Sequence, residues 1–457
     1  KTGGRDLLED CFLMYIGIRG QESERFRAIN HYMELNRERN SELEKDFYNT
    51  IKEVFGKDAV ILSHPTWYPY PDKLESKKNG LYWWVALRDW AQTDEVTPFA
   101  ARTALAKKWN SPVWYNQFYD YNPGIKNYYI ELWSSVLAGG RLNYHPASSA
   151  RKGISTGRTE LLWGNLMRGE SRVRLLNFIS DSPLDCPVAV IFGHPSTMNW
   201  AGPYFEDLGM QLVDSLWSKG VMVDLMPTSE IENSSLVIDE DGWVRYGKQK
   251  YAAVILYNPE FETKLFRKGN WNHNFDGVKY NGNTALPKEM IAVDNDEVVI
   301  KEVLKIFKKQ NIELQTPSSR VLEGFGHTSV APPTEGFCHL IDGTVIQVAG
   351  TNDVGGDLIK SSIKIGKHKV DFNAIGVAAV RLDKAGNVEA LAAGGLKHFK
   401  AGDLEIDLDE RVDIALWKDN TGKFQGVIQG LKGEVPSRLL AITDDWVHLN
   451  IPIPLSE

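Results

Sequence analysis

Residues that could do chemistry are concentrated between positions 80 and 146, where polar side chains follow short apolar runs. Asp94 and Glu95 come a few residues after the first run of this stretch, and Gln117 follows the second. Glu22, earlier in the chain, occupies the same kind of position. Two carboxylates can divide the work of general acid and nucleophile or base. Glu22, Asp94 and Glu95 are therefore candidate catalytic carboxylates, and Gln117 is the polar residue at the corresponding point after its run.

Aromatic, basic, amide and imidazole side chains accompany them at the ends of the apolar runs. Such groups stack on sugar rings or hydrogen-bond to them. Each one alone could equally be a core-packing residue, but together they predict a carbohydrate site. Two of the basic side chains are arginines, which could pair with the carboxylate of an acidic sugar. The predicted substrate-binding residues are Arg19, His64, Trp67, Arg88, Trp90, Trp114, Asn116, Tyr119 and His145.

The apolar runs alternate with helical segments, which predicts how these residues are positioned. Leu81–Leu87, Pro112–Tyr115 and Leu142–Tyr144 are predicted strands, while Pro98–Trp109 and Ile125–Leu137 have the length and composition of helices. Strand and helix in alternation imply a parallel sheet, because parallel strands need a crossover connection. In α/β barrels the carboxyl ends of such strands carry the active site.

Two earlier apolar runs extend the pattern toward the beginning of the chain. Cys11–Ile18 and Ala59–Leu62 are each followed by polar residues, which makes five predicted parallel strands. A closed (β/α)8 barrel needs eight. We therefore predict that residues 1–150 form the C-terminal five βα units of a catalytic barrel, with the missing segment supplied by a preceding part of the protein or by a second chain. The alternative is an open doubly wound sheet.

One part of this stretch resembles a known enzyme family. The chain reads PVWYNQ at 112–117, continues through a predicted helix, and then reads GGRLNY at 139–144. This is similar to the last two barrel strands of β-galactosidases with a trimerisation domain, which belong to the large retaining clan of (β/α)8 glycoside hydrolases. The resemblance implies a Glu nucleophile at the tip of strand seven. The matching position here is Gln117, with Asn116 as the neighbouring choice.

The resemblance also implies an acid/base residue at the tip of strand four. Retaining glycoside hydrolysis needs two carboxyl groups roughly 5 Å apart. If Cys11–Ile18 is strand four, Gln21-Glu22 takes the place of the family's Asn-Glu. Glu22 is then the first choice and Glu24 the second. Both could instead be solvated loop carboxylates that pair with Arg25 or Arg27.

Gln117 leaves the second carboxylate open, because an amide is neither a nucleophile nor a base at pH 7. Position 117 could carry an engineered Glu→Gln change. Another acidic group, Asp94, Glu95 or Asp120, could serve instead. The barrel could also have no glycosidase activity. Asp94 and Glu95 have a further interpretation, since carboxylates at the start of the next helix would be favoured by its dipole.

Residues 151–330 show a second alternation of buried strands and helices. Val188–Phe192, Val221–Leu225 and Ala252–Tyr257 are predicted strands, and Val298–Gln310 is a predicted helix. This pattern predicts a doubly wound, flavodoxin-like domain. It resembles the trimerisation domain of those β-galactosidases, which implies a homo-oligomer, specifically a trimer. No Gly-rich phosphate-binding fingerprint follows the first strand, so no nucleotide cofactor is expected.

Residues 331–457 follow the linker signal Pro332-Pro333 and consist of short apolar runs between Gly, Asn and Asp turns. Runs such as Val377–Leu382, Leu404–Leu408 and Asp413–Trp417 predict antiparallel strands. The region is predicted to be a C-terminal β-sandwich. The complete fold prediction is α/β: a partial (β/α)8 barrel, a flavodoxin-like domain and an antiparallel β-sandwich.

Composition argues against several classes of function. The chain of 457 residues has a net charge of −8, which makes nucleic acid an unfavourable partner. Its three cysteines lie far apart and no His, Asp or Glu cluster has ligand spacing, so neither a disulfide framework nor a metal is expected. No apolar run reaches the length of a membrane span.

The function predicted from the sequence is hydrolysis of glycosidic bonds in an oligo- or polysaccharide, without a cofactor. A secreted or periplasmic location fits such a substrate. The leading alternative is an inactive carbohydrate-binding protein on the same scaffold. A third hypothesis, an amidotransferase or esterase within 185–320, lacks the required nucleophile elbow, and Cys186 precedes its strand.

Overall fold

Strands predominate over helices in the described part of the chain, and their combination makes the protein mixed α/β. Two compact units are present: unit one comprises Lys1–Trp114 and Cys186–Val330, and unit two comprises Tyr115–Asp185 and Ala331–Glu457. The domain boundaries at 150 and 330 remain a prediction. The computed structural model describes residues 39, 42–43, 45–59, 61, 91–93, 99–118, 125–144, 167–192, 210–227, 230, 235–238, 240, 243–257, 279–280, 284–285, 296–317, 333–350, 355–431 and 433–449.

Helices and strands are numbered in chain order. The helices are α1 (45–55), α2 (Phe99–Lys108), α3 (Ile125–Leu137), α4 (Met167–Arg174), α5 (Leu176–Ile179), α6 (Met210–Trp217), α7 (Asp296–Gln310) and α8 (Ser437–Leu440). The strands are β1 (Ala91–Thr93), β2 (Trp114–Phe118), β3 (Gly140–Tyr144), β4 (Val188–Phe192), β5 (Val223–Pro227), β6 (Leu236–Ile238), β7 (Val244–Tyr246), β8 (Gln249–Tyr251), β9 (Ala253–Tyr257), β10 (Lys279–Tyr280), β11 (Thr284–Ala285), β12 (Glu335–His339), β13 (Val345–Ala349), β14 (Leu358–Ile365), β15 (His368–Ile375), β16 (Val377–Leu382), β17 (Val388–Ala401), β18 (Leu404–Lys418), β19 (Phe424–Gln429) and β20 (Trp446–Leu449).

Helix α1 ends at a glycine cap. Gly56 has a φ of 92°, a left-handed conformation that glycine adopts without the steric cost of a side chain. Its N–H donates to the carbonyl of Lys52 at 3.0 Å. The ammonium of Lys52 in turn donates to the carbonyl of Ala59 at 2.6 Å. The end of the helix is therefore capped by a backbone donor, and the turn after it is held by a side-chain donor.

Unit one contains a parallel three-stranded sheet in the order β5-β4-β9. Val188 pairs with Val223 on one side and with Ala253 on the other. The first strand along the chain thus lies between the second and the third, as in the doubly wound order 2-1-3. Helices α6 and α7 contact each other, and α7 buries Val299, Val303 and Phe307 at helical spacing.

A small antiparallel meander, β6-β7-β8, directly precedes β9 in unit one. Val244 and Tyr246 in β7, and Gln249 and Tyr251 in β8, are buried, while the residue between each pair is more exposed. Alternation of this kind places every second side chain on the inner face of the sheet. Tyr246 and Tyr251 are thereby directed into the interior of unit one.

Strand β2, which belongs to unit two from Tyr115 onward, is the neighbour of β3 in one sheet, and α3 connects the two along the chain. Helix α3 contacts β3, β12 and β13. Leu132, Trp133 and Val136 are buried on this helix. The strand–helix–strand prediction for this stretch is confirmed.

The largest element of unit two is a nine-stranded sheet built from residues 335–449. Its main path runs β12-β13-β16-β17-β18-β19-β20, and β15 pairs with both β14 and β17. Its strand pairs are antiparallel except β19 with β20, which is parallel. The prediction of antiparallel strands in the C-terminal region is confirmed at this level.

Strand β17 changes its pairing partner along its length, while β18 pairs with it on the other side. The first part of β17 pairs with β16, whereas its last residues pair with β15. The β17–β18 register shifts between Ala393 and Leu396, on either side of Gly394 and Gly395. Residues from both parts of the sheet, such as Phe372 and Ile414, belong to one hydrophobic cluster.

The predicted strands agree with the structure where apolar runs are continuous. Val188–Phe192 and Val377–Leu382 have their predicted bounds, whereas β5 begins two residues later than predicted and extends to Pro227. Leu404–Leu408 and Asp413–Trp417 were predicted as two strands, and the structure joins them in β18 because the polar segment between them stays extended.

Three of the five predicted barrel strands are not tested by these elements. Cys11–Ile18 and Leu81–Leu87 lie outside the described residues. Within 59–62, Ala59 and Ile61 are described, and neither is in a strand. The barrel prediction therefore depends on residues beyond the described ranges.

Candidate functional site

Most of the predicted site residues lie outside the described residues. The candidate catalytic carboxylates Glu22, Asp94 and Glu95 are among them, so the distances between the predicted carboxylates are not defined. The predicted binding residues that also lie outside the described residues are Arg19, His64, Trp67, Arg88, Trp90, Tyr119 and His145. Trp114, Asn116 and Gln117 are described, and all three belong to β2.

Asn116 and Gln117 lie within β2 rather than in the loop after it. The sequence predicted that the strand ends at Tyr115, but Tyr115 and Phe118 are strand-favouring residues on either side of the two amides. Their strand is the neighbour of β3. Position 117 is thus near the carboxyl end of β2.

Trp114 is a buried residue of unit one. Its ring centroid lies 5.1 Å from that of Phe99, and the guanidinium carbon of Arg102 lies 4.9 Å from it. The whole residue is solvent-inaccessible. This packing favours the core-residue alternative for Trp114, while its predicted role in sugar binding remains untested.

A buried ionic cluster in unit one was not found by sequence reasoning. Lys107, near the end of α2, donates to Asp224 Oδ2 of β5 at 2.5 Å, and both side chains are fully buried. The hydroxyl of Tyr251 donates to the same carboxylate oxygen at 2.7 Å. One oxygen of Asp224 therefore accepts from a cation and from a phenol.

The next residue along α2 repeats this arrangement. Lys108 donates to both carboxylate oxygens of Glu230 at 2.7 Å. The hydroxyl of Tyr246 donates to Oε2 of the same residue at 2.7 Å. The meander thus supplies one tyrosine to each of two lysine–carboxylate pairs.

Burial and pairing act in opposite directions on the lysines. Burial lowers the pKa of Lys107, but attraction to Asp224 and Cys186 and hydrogen bonds with both outweigh it, so the pKa is raised. For Lys108, burial outweighs the attraction to Glu230, and the pKa is lowered. Burial together with Asp224 raises the pKa of Tyr251 well above its ordinary value. Tyr251 therefore stays neutral and donates its proton.

This cluster stabilises the fold and does not form a substrate site, since its two carboxylates are fully buried. An inaccessible carboxylate cannot contact a polysaccharide. The signal in the sequence was Asp224 within the otherwise apolar run Val221–Leu225. A charge there requires a buried partner, but the sequence does not identify Lys107.

One group among the described residues has the spacing of metal ligands. Ligand atoms of His398, Glu405 and Asp407 lie within 4.8 Å of one another on β17 and β18. His398 Nδ1 is already 2.7 Å from Asp407 Oδ1, and Lys400 donates to Glu405 at 2.7 Å. These are cross-strand pairs on a hairpin, and each member already has a side-chain partner on the neighbouring strand.

No helix in the described ranges is long and apolar enough to cross a membrane. Comparisons of the chain with protein-family models, with curated proteins and with solved structures found no match. Function therefore has to be inferred from the residues of this chain.

Proposed function

We propose that the protein is a glycoside hydrolase that acts on an oligo- or polysaccharide through two carboxyl groups. The observation that carries this proposal is the position of Asn116 and Gln117 in a strand next to β3, with a helix between the two strands. That arrangement is the one expected of consecutive strands in a βα enzyme domain. The carboxyl ends of such strands are where catalytic side chains are placed.

In this proposal Glu22 is the general acid/base. The second carboxylate is Asp94 or Glu95, or the residue native to position 117 if Gln117 replaces a Glu. An acid/base residue has to donate a proton to the leaving oxygen and then accept one from water, which requires a pKa raised toward neutrality. The aromatic and basic residues after the strands would bind the sugar rings.

The proposal assigns a role to each part of the chain. Residues 1–150 would form the barrel-type catalytic domain, 151–330 a flavodoxin-like domain that assembles a homotrimer, and 331–457 a β-sandwich. The parallel order β5-β4-β9 supports the doubly wound part of this assignment. A secreted or periplasmic location would bring the enzyme to a polysaccharide.

The test is release of reducing sugar from a panel of aryl glycosides, oligosaccharides and polysaccharides. The unmodified chain and Gln117→Glu are assayed first, and Glu22→Gln is then added to whichever is active. Loss of a general acid/base lowers the rate by about 10²–10⁴-fold. Glu53→Gln, on exposed helix α1, is the matched control and should leave the rate unchanged.

Asp94→Asn and Glu95→Gln then identify the second carboxylate. If Gln117→Glu raises the rate, position 117 holds the nucleophile. If it does not, one of the two other substitutions should abolish activity. Absence of sugar release by both the unmodified chain and Gln117→Glu would overturn the proposal.

The amide at position 117 also supports a second candidate, an inactive carbohydrate-binding protein. That protein would retain glycans on an array without cleaving them, even with Glu at position 117. Calorimetry with a retained glycan, followed by chromatography of the recovered ligand, separates the two candidates. An intact ligand after prolonged incubation favours binding alone.

A further inference from the structure

Arg141, the second residue of β3, is a buried cation. The residue is 6% exposed. Its Nε donates to Asn177 Oδ1 at 3.3 Å and its Nη1 to the carbonyl of Gly140 at 2.8 Å. Both acceptors are neutral, and no carboxylate of the described residues forms an ion pair with Arg141. Its positive charge is therefore not balanced by this part of the chain.

Two other buried cations of the described chain each have a carboxylate partner. Lys107 has Asp224, and Arg172 has Asp413 at 3.1 Å. Removal of a charge from water is costly unless an opposite charge replaces the lost hydration. Burial lowers the pKa of Arg141 to about 10, so it is still protonated at neutral pH. Arg141 thus carries the cost of burial without the usual compensation.

The titratable groups beside Arg141 do not supply the missing negative charge. Burial raises the pKa of Tyr115, and it raises the pKa of the Cys338 thiol to about 12. Both groups are accordingly neutral at pH 7. A second cation, Arg174, also acts on Tyr115 and favours a lower pKa there; its side chain is 73% exposed and forms an ion pair with Glu170 at 3.5 Å. Glu170 is thus matched by Arg174, and the positive charge of Arg141 remains without a carboxylate among the described residues.

One nitrogen of Arg141 remains available. Nη2 makes no hydrogen bond with the described residues and is not one of the fully buried polar atoms without a partner. Nε and Nη1 fix the plane of the guanidinium through Asn177 and Gly140, so Nη2 has a defined direction. A fixed guanidinium is the preferred protein group for carboxylate and phosphate oxygens.

We propose that Arg141 and Arg174 form an oxyanion-binding site beside Tyr115 for a carboxylate or a phosphate group. Arg141 binds one oxygen through Nη2, and Arg174 leaves its exposed pair with Glu170 to bind another. The anion supplies the charge that the buried guanidinium lacks. Arg141 is at the amino end of β3, whereas His145 follows its carboxyl end, so this site does not depend on the proposed glycosidase site.

The experiment uses the full chain at pH 7 and constant ionic strength set with chloride. Thermal unfolding is followed while inorganic phosphate, D-glucuronate or D-glucose is added. A ligand that binds the folded state raises the midpoint in a saturable way. We expect a saturable rise with at least one of the two anions and none with D-glucose. Phosphate alone identifies a phosphate site, and glucuronate alone identifies a sugar-acid site.

Arg174→Gln is the main test variant, because this side chain is exposed and its replacement should not disturb folding. We expect the apparent dissociation constant to rise about tenfold. Arg141→Gln should abolish the response. Arg438→Gln, at an exposed position in the same unit, is the matched control and should respond like the unmodified chain.

Two outcomes would overturn the proposal. One is the absence of a saturable response to both phosphate and glucuronate in the unmodified chain. The other is an anion response that Arg174→Gln leaves unchanged, which would place the anion elsewhere. If Arg141→Gln does not fold, the comparison of Arg174→Gln with Arg438→Gln still decides the question.

Discussion

Lys107 Nζ lies 2.5 Å from Asp224 Oδ2, and water reaches neither side chain. The pair joins the end of helix α2 to strand β5 of the parallel sheet in unit one. Tyr251 completes it with a hydrogen bond to the same oxygen. A buried pair of this kind is costly to break, because either partner alone is an uncompensated buried charge.

Lys107→Met should therefore destabilise the protein by about 3–5 kcal/mol, since it leaves Asp224 buried without its cation. Urea unfolding gives the free energy of unfolding. Lys107→Met/Asp224→Leu should recover a large part of the loss, because the double variant has no unpaired charge. Lys305→Met removes an exposed pair with Glu302 and should change the stability by less than about 0.5 kcal/mol. Similar losses from both lysine variants would contradict this account.

Tyr251 should make the stability depend on pH above 10. Its folded-state pKa is raised well above the ordinary 10.0, so the folded state keeps a proton that the unfolded state loses. The resulting stabilisation is full below pH 10 and declines as pH rises toward the folded pKa. Lys107, with a raised pKa, acts in the same direction.

Tyr251→Phe should remove the tyrosine part of this dependence. Unfolding midpoints of the unmodified chain and the variant are compared from pH 8 to pH 11. The difference between them should be constant below pH 10 and shrink above it. Tyr48→Phe, on helix α1, is the control. A difference that stays constant to pH 11 would show that Tyr251 does not retain its proton.

Strand β4 could be predicted from the sequence, whereas the ion pair of Asp224 could not, and the reason is how far along the chain the relevant information is spread. Val188–Phe192 is a continuous apolar run, so both its type and its bounds are encoded locally. The sequence around Asp224 shows only that a charged residue interrupts an apolar run. Its partner, Lys107, is 117 positions away and cannot be identified from the local sequence. Arg141 is similar, since its lack of a carboxylate becomes evident only after folding brings Tyr115 and Cys338 beside it. Of the candidate catalytic site, the described residues include only Gln117.

Gly394 should not tolerate a side chain. A Cβ atom at this position would lie 2.5 Å from Arg172 Cδ and 2.5 Å from the carbonyl oxygen of Ile375. Gly394→Ala should cost about 1–3 kcal/mol, as overpacking of a filled interior does. Gly433→Ala is the matched control, because nothing lies within 4 Å of its Cβ position. Urea unfolding of both variants checks the prediction, and equal stability would mean that Arg172 and the backbone at Ile375 both move aside without cost.

Arg141→Met should stabilise the protein when no binding anion is present. Lowering the pKa of a guanidinium from 12.5 to about 10 by burial corresponds to roughly 3 kcal/mol of destabilisation at pH 7. The sign follows from the depressed pKa of a cation: the cost is complete below pH 10 and disappears as pH rises toward 12.5. Methionine fills similar space without a charge, although it loses two hydrogen bonds worth about 1 kcal/mol each.

The expected net gain is therefore about 1 kcal/mol in the free energy of unfolding, measured with urea at pH 7 in chloride buffer. Saturating amounts of the anion that stabilises the unmodified chain should reverse the order of stability, because only the unmodified chain binds it. Asn177→Ala, which removes one acceptor but keeps the charge, should destabilise the protein under both conditions. A loss of more than about 1 kcal/mol from Arg141→Met without the anion would instead assign Arg141 a purely structural role.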